Sequence, residues 1–230
     1  MIGTLINVGT VLVGGGLGLL LGKKLSERLK STIISGLGLF TLVYGISLFL
    51  KTGNSLIVLG SLLLGVILGE WVHIEDGLTN LGGWLERKFN RQGERSNFIN
   101  GFITTSLLFC IGPMAILGSI QDGLTGNFET LAIKSILDGF AAFAFASSLG
   151  FGVLFSSVVV FVYQGAISLL ASQAQTIASK EMMNELSAVG GVILVGIAIS
   201  SLLELKKIHT GNFLPALLIA PLIVWILSLF

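Results

Sequence analysis

The sequence predicts an all-α membrane protein with about eight transmembrane helices. Of its 230 residues, 53% are hydrophobic and only 11% are charged, whereas about 25% of the residues of a soluble domain are charged. Its long apolar runs are continuous, which is not the alternating pattern of the roughly ten-residue strands of a membrane barrel. The chain is therefore expected to reside in a lipid bilayer as a bundle of helices.

Eight apolar runs are long enough to cross a hydrocarbon core of about 30 Å as helices. They lie at roughly 3–22, 32–50, 55–72, 98–119, 130–147, 151–171, 184–204 and 212–229. The first run is interpreted as a retained helix, because its positive residues follow the apolar segment, whereas those of a cleavable signal peptide precede it.

Lysine and arginine are distributed unevenly over the predicted loops. Ten of them follow the first, third and seventh spans, whereas the loops of the other side hold Lys51 and Lys180. Basic loops prefer the cytoplasm. With eight spans, this asymmetry predicts that both termini lie outside.

Glycines recur at four-residue spacing in two spans. Gly14, Gly18 and Gly22 follow this pattern in the first span, and Gly65 and Gly69 follow it in the third. Small residues at this spacing let helix backbones approach closely in a membrane. Close helix packing is therefore expected along both spans.

The tripeptide Thr-Gly-Asn occurs at 52–54, 125–127 and 210–212, each time ahead of an apolar helix that its asparagine can cap. Either these are capped turns and nothing more, or the first and third, 158 positions apart, mark a repeat. The repeat would be inverted, with spans 1–3 matching spans 6–8, as in many secondary transporters.

A single membrane domain, 1–230, would then comprise a first three-helix repeat (1–72), an amphipathic interfacial segment (73–97), a central helix hairpin (98–147) and a second three-helix repeat (151–230).

The interfacial segment contains DGLTNLGGWLERKFNRQGER and predicts an amphipathic helix on the cytoplasmic membrane surface. Three of its basic residues would contact anionic lipid headgroups; they are Arg87, Lys88 and Arg91. Its apolar residues at helical spacing are Leu78, Leu81, Trp84, Leu85 and Phe89. Because Glu86 and Glu94 dilute the positive charge, no nucleic-acid partner is expected.

Lys134 and Asp138 are charged residues inside the fifth span, in KSILDGFAAFAFASSLG. They share one helix face, and Asp138 would lie roughly 16 Å from Asn127, near the bilayer midplane. An aspartate there costs about 2.5–3.5 kcal/mol, so it needs a partner or a cavity. Two interpretations stay open. In one, a structural ion pair fixes helix packing; in the other, Asp138 binds a cation or carries a proton while Lys134 sets its protonation.

The stretch CIGPMAILGSIQDGLTGN, residues 110–127, contributes the other predicted site residues. The Gly112-Pro113 pair predicts a kink in the fourth span, because proline removes a helical hydrogen bond. The turn at 125–127 makes a hairpin of spans 4 and 5, which is expected to bring Ser119 and Pro113 alongside the charged pair. Asp122 taken alone suits an ordinary helix end in the headgroup region. The complete predicted substrate or ion site is Pro113, Ser119, Gln121, Asp122, Lys134 and Asp138.

Other polar residues within the spans have a simpler interpretation. Asn7, Tyr44 and Gln164 could line a cavity, but hydrogen bonds across helices account for them equally well and are favoured. His73 and His209 are isolated, so no metal-ligand set is predicted. No cofactor is expected.

Three segments resemble the YdfK/YqgA-like family of bacterial membrane proteins of unknown function. They are IGTLINVGTVLVGGGLG, CIGPMAILGSIQDGLTGN and KSILDGFAAFAFASSLGFGVLFSS. The resemblance covers nearly the whole chain and implies a protein of the bacterial inner membrane. Within the third segment, LDGFAAFAFASSLG is similar to the Asp-x-Phe-Ala helices of manganese exporters and related small-solute exporters, which adds a cation to the candidate substrates.

A transporter or channel for an ion or small solute accounts best for the charged residues within the spans, the kink and the repeat. A membrane scaffold or sensor is the alternative if Lys134 and Asp138 form a structural pair. An enzyme is not expected, because the chain lacks HExxH and the GxSG and GxGD motifs of intramembrane proteases. The expected partners are the lipid bilayer and a small solute, cation or proton; assembly into a homo-oligomer stays open.

Overall fold

The computed structural model describes residues 1–22, 24–89, 95–111, 113–172 and 179–229. Within these ranges the chain forms ten α-helices and no strand. The protein is therefore an all-α multi-pass membrane protein, as the composition predicts. The helices are α1 (Ile2–Gly22), α2 (Glu27–Phe49), α3 (Ser55–Val72), α4 (Ile74–Phe89), α5 (Arg95–Cys110), α6 (Pro113–Thr125), α7 (Glu129–Leu149), α8 (Gly152–Leu169), α9 (Lys180–Ile197) and α10 (Ala216–Leu227).

Seven helical segments of the described chain are long and apolar enough to cross a membrane. They coincide with seven of the eight predicted spans. The remaining predicted span corresponds to a bent pair of helices, in which the axes of Phe98–Cys110 and Met114–Thr125 differ by 61°. The bend falls between Cys110 and Met114, the segment in which the kink is predicted, while Gly112 and the side chain of Pro113 lie outside the described residues.

The predicted amphipathic segment forms α4, which begins directly after α3. His73 between them has the left-handed backbone conformation (φ 57°), and its N–H bonds to the carbonyls of Gly69 and Glu70, which ends α3. On α4 the Lys88 Nζ lies 5.1 Å from the centre of the Trp84 ring. Arg91 lies outside the described residues, as do the side chains of Leu78, Leu81, Leu85, Arg87 and Phe89. The cytoplasmic position of α4 stays a prediction.

The chain divides into two compact units. The first unit, residues 1–37 and 80–174, contains α1 and α5 to α8. Here α1 packs along α7 in the same direction, since Gly14, Gly18 and Gly22 lie against the backbone at positions 139, 143 and 147 of α7. A Cβ at Gly18 would lie 2.3 Å from the Phe143 carbonyl oxygen. The predicted close packing of the first span is confirmed.

The second unit, residues 38–79 and 175–230, contains most of α2, with α3, α9 and α10. Here Gly65 and Gly69 of α3 lie against Ala216 and Asn212, which confirms the close packing predicted for the third span. The contacts run in opposite order along the two segments, so α3 and α10 are antiparallel. Beyond α9 the chain continues as one π-helical turn, Ala198–Leu202.

The first two Thr-Gly-Asn turns make the same hydrogen bonds ahead of their helices. In each, the asparagine N–H bonds to the threonine hydroxyl (3.1 and 3.3 Å), and the asparagine side chain accepts from the amide two residues later (3.0 Å in both). The third turn differs. It forms a 3₁₀ helix, Thr210–Phe213, and the Asn212 side chain accepts from the Glu75 amide at 2.7 Å. The capping prediction is thus wrong for Asn212, and the inverted repeat stays a prediction.

Candidate functional site

Lys134 and Asp138 lie on the buried face of α7, where they are 6% and 8% exposed. The Lys134 ammonium donates to Oδ2 of Asp138, which is the pairing that their four-residue spacing makes possible. Lys134 Nζ also lies 5.9 Å from the centre of the Phe109 ring on α5. The charged pair is therefore enclosed by protein within a membrane span.

Asn7 of α1 completes this cluster. Its side chain is fully buried, and its Nδ2 donates to Oδ2 of Asp138 at 3.0 Å. The close approach of α1 to α7 makes this bond possible. A hydrogen bond across helices is the prediction for Asn7, which was not placed in the site; an amide side chain within the first apolar span was the available signal.

The hairpin residues of α6 make their hydrogen bonds elsewhere. The Ser119 hydroxyl donates to the Ala115 carbonyl of its own helix (2.6 Å), and the Ser119 carbonyl accepts from the Ser168 hydroxyl of α8 (2.9 Å). The Gln121 side chain accepts from the Thr130 hydroxyl at 2.8 Å, near the exposed hairpin turn. These contacts hold α6 against α7 and α8, but they do not join Ser119 or Gln121 to the charged pair.

Asp122 is buried, with 3% exposure, and does not lie at an exposed helix end. Its Oδ2 accepts from the Gly3 amide at 3.0 Å, and its Oδ1 lies 3.0 Å from the amino group of Met1. Amides in the first turn of a helix have no partner within the helix. Asp122 thus fixes the first turn of α1 as a buried, paired carboxylate, and its level in the membrane stays a prediction.

Several buried polar atoms of the first unit have no hydrogen-bond partner among the described residues. Thr4 Oγ1, Asn7 Oδ1 and both amide atoms of Gln164 are of this kind. Leaving such an atom unpaired costs about 1–3 kcal/mol, and buried polar atoms are normally satisfied by protein, water or ligand. Polar binding capacity therefore remains in the interior of the first unit. Hydrogen bonding across helices, the favoured interpretation for Gln164, is not what the structure shows.

A groove of about 630 Å³ lies between α1 and α7. Its lining is almost entirely apolar and includes Gly9, Gly14, Gly139 and Phe140. Asp138 is not among the lining residues, and Phe140 is 73% exposed. The groove suits hydrocarbon, and a polar solute would find little to bind in it.

No group of three His, Cys, Asp or Glu residues suited to a metal ion is assembled in the part of the chain that the structure describes. The charges of the cluster are one carboxylate and one ammonium. The site can therefore exchange protons, form hydrogen bonds or bind a small ion, but it lacks the several anionic ligands typical of a divalent metal site.

The fold and the site define a multi-pass, all-α membrane protein with a charged pair buried inside one span. The chain belongs to the family described as protein of unknown function (DUF554), whose model matches residues 2–225. It is 33% identical over 223 residues to the uncharacterized protein YqgA of Escherichia coli (strain K12), covering 96% of this chain and 94% of the relative. It is 29% identical over 234 residues to the uncharacterized membrane protein YdfK of Bacillus subtilis (strain 168), covering 100% and 98%.

No solved structure matches the chain. The family resemblance read from the three sequence segments is confirmed.

Proposed function

We propose that the protein is a secondary transporter or channel for an ion or small solute, with its site at Asp138, Lys134 and Asn7. The burial of the charged pair within α7 carries the proposal. Ionisable residues inside membrane spans are costly and commonly mark ion or substrate pathways. The unpaired Oδ1 of Asn7 adds binding capacity directly beside Asp138.

The wider mechanism follows from the predicted topology. We place the chain in a bacterial inner membrane with both termini outside, and the proposed inverted repeat would supply two groups of helices that rock about the site. Alternating access of this kind exposes one mid-membrane site to each side in turn. Binding at Asp138 would couple the two states by favouring one of them. We propose no enzymatic role.

A scaffold or sensor is the second candidate. Lys134, Asp138 and Asn7 hydrogen-bond to one another between two closely packed helices, as a structural pair would do. A buried ion pair can often be replaced by apolar residues of similar volume without loss of stability. The stability of such an apolar variant, measured together with its flux, therefore separates the two candidates.

Flux assays in proteoliposomes test the proposal. A panel of cations, amino acids and organic acids would be tested for uptake and efflux, with and without a pH gradient. We expect Asp138→Asn to reduce flux at least tenfold, because the replacement removes the charge and keeps the shape. Glu129→Gln is the matched control, since Glu129 is an exposed carboxylate in the first turn of the same helix.

The double variant Lys134→Met/Asp138→Leu distinguishes the candidates. If the charged pair serves transport, this variant should fold but show no flux. Folded protein with undiminished flux in Asp138→Asn would contradict the proposed site, and no flux over the whole panel for the wild type would favour the scaffold.

A further inference from the structure

The groove between α1 and α7 follows one face of α1 towards the end of that helix. The α1 residues that line the groove recur at helical spacing, and the last of them is Leu17. Leu20 and Leu21 continue this spacing and are 64% and 48% exposed. The Lys24 amide bonds to the Leu21 carbonyl at 2.9 Å, so the chain is still turned helically at this position. The apolar face of α1 therefore leads to a basic residue seven positions after Leu17.

The turn between α1 and α2 presents positive charge beside apolar side chains. Residues 23–30, KKLSERLK, contain four basic residues and one acidic residue. Lys24 and Arg28 are exposed, and neither has an ion-pair partner among the residues that the structure describes. Leu29 beside them is 45% exposed. Two cationic side chains are therefore available to an anion where the apolar face ends.

Other helices of the first unit end or begin at the same level. Gly22, the last residue of α1, lies against Ser147 near the end of α7. After α7 the chain turns at once into α8, whose first residue, Gly152, lies against Phe98 of α5. Since α5 begins at Arg95, one turn before Phe98, it adds a further basic position to this end of the unit.

The opposite end of the first unit carries negative charge. Gly3, in the first turn of α1, lies against Leu131 in the first turn of α7. The segment 113–129, which leads into α7 at this end, contains Asp122 and Glu129 and no lysine or arginine. An anion at the membrane boundary is therefore favoured at the Lys24 end of the unit.

The distance from Lys24 to the groove suits an acyl chain of one leaflet. One leaflet contributes about 15 Å of hydrocarbon, which corresponds to about ten helical residues. A chain that begins level with Lys24 would pass Leu17, where the groove begins, and would end near Gly14 and Val13, which also line the groove. The groove therefore lies within reach of a lipid whose headgroup is at Lys24.

We propose that the first unit binds an anionic phospholipid, with its phosphate at Lys24 and Arg28 and one acyl chain in the groove between α1 and α7. Lysine and arginine are the side chains that bind phosphate most often in proteins. The basic end alone would accept any phosphate, and the groove alone would accept any hydrocarbon. An anionic lipid is the ligand that satisfies both. This lipid site goes beyond the proposed transport function and does not depend on it.

Lipid binding to the purified protein in detergent tests the inference. Native mass spectrometry counts the bound lipids, and thermal unfolding reports the stabilisation by a bound ligand. The ligands are phosphatidylglycerol and phosphatidylcholine with identical palmitoyl and oleoyl chains, dihexanoyl phosphatidylglycerol and glycerol 3-phosphate. We expect one long-chain phosphatidylglycerol to bind at least about tenfold more tightly than each of the other three ligands, because they lack either the net charge or the long chain.

The basic residues should determine the preference for the anionic headgroup. Lys24→Gln/Arg28→Gln should lower the affinity for phosphatidylglycerol about 25-fold, or about fivefold for each basic residue removed. It should leave the binding of phosphatidylcholine unchanged. Lys51→Gln/Lys180→Gln is the matched control, because it removes two exposed basic residues from other loops. This control should keep the full preference for phosphatidylglycerol.

The groove should determine the affinity for the chain. Val13→Trp fills the groove and should weaken the binding of both long-chain lipids at least about fivefold, while their ratio stays the same. Leu12→Trp is the matched control, because Leu12 is the adjacent residue and is 43% exposed but does not line the groove. If Val13→Trp fails to fold, the comparison of long-chain with dihexanoyl phosphatidylglycerol in the wild type tests the chain site.

Equal affinity of the wild type for phosphatidylglycerol and phosphatidylcholine would overturn the inference. Equal losses in the two double variants, or in the two tryptophan variants, would do the same. Stabilisation by glycerol 3-phosphate as large as that by phosphatidylglycerol would assign the basic residues to a soluble phosphate and exclude the lipid site. A groove covered by a second copy of the chain predicts dimers that Val13→Trp dissociates, without any lipid preference, and this result would also overturn it. Flux through the site at Asp138 is measured separately, so failure of the lipid site leaves the proposed function standing.

Discussion

Glu185, in the second turn of α9, is a buried carboxylate with a specific structural partner. It is 3% exposed and accepts three hydrogen bonds from the turn 52–54: from the Thr52 hydroxyl (2.6 Å) and from the amides of Gly53 (2.7 Å) and Asn54 (3.2 Å). Hydrogen bonds to charged groups are stronger than those between neutral groups. Glu185 thus ties the turn between α2 and α3 to α9.

We predict that Glu185→Ala lowers the free energy of unfolding by about 1–3 kcal/mol, because the turn loses the acceptor for two amides and a hydroxyl. Glu181→Ala is the matched control, since Glu181 lies one turn earlier on the same helix and is exposed. Chemical denaturation in detergent would measure both variants. Equal effects of the two substitutions would contradict the assigned role of Glu185.

The sequence identifies site residues only where local spacing is sufficient. Lys134 and Asp138 are four positions apart, so their pairing follows from helix geometry alone. The bonds of Asp138 to Asn7 and of Asp122 to Gly3 join residues more than a hundred positions apart. Such contacts depend on which helices become neighbours, and a single sequence does not specify this.

At the scale of elements, the contact between α1 and α7 depends on glycines on one face of α1. A Cβ at Gly18 would lie 2.3 Å from the Phe143 carbonyl oxygen, whereas a Cβ at Gly16 would meet nothing within 4 Å. The two positions are two residues apart and have the same residue type. They therefore form a matched pair in one helix.

We predict that Gly18→Ala destabilises the protein by about 1–3 kcal/mol, because α1 must move away from α7. Gly16→Ala should be neutral or slightly stabilising, since alanine favours the helix over glycine. Thermal unfolding in detergent compares the two. A similar loss of stability in both variants would show that the close backbone approach is not the cause.

Helices and their breaks differ in how far the sequence predicts them. The spans follow from the length and hydropathy of each run, and the bend between α5 and α6 follows from a proline whose local effect is known. The π-helical turn after α9 and the 3₁₀ helix at 210–213 have no comparable local signal. Asn212 forms its bond with Glu75 of another element, which replaces the cap that its sequence context predicts.

At the scale of the whole molecule, helix directions bear on the number of membrane crossings. Since α1 and α7 pack in the same direction, an odd number of crossings must separate them if both span the membrane. Between them lie α2, α3, α4 and the bent pair α5–α6. If α4 does not cross, the bent pair must cross once, which favours eight spans over seven.

Cysteine labelling tests this count and the orientation together. In a Cys110→Ser background, we predict that Lys51→Cys reacts with a membrane-impermeant maleimide in intact cells. We expect Ser26→Cys and Leu205→Cys to react only after permeabilisation, because they lie near the basic loops. All three positions are exposed in the structure. If Ser26→Cys and Leu205→Cys react from opposite sides, an odd number of crossings separates the two positions, and α5–α6 is re-entrant. If all three positions show the reverse pattern, the eight spans stand but both termini lie in the cytoplasm.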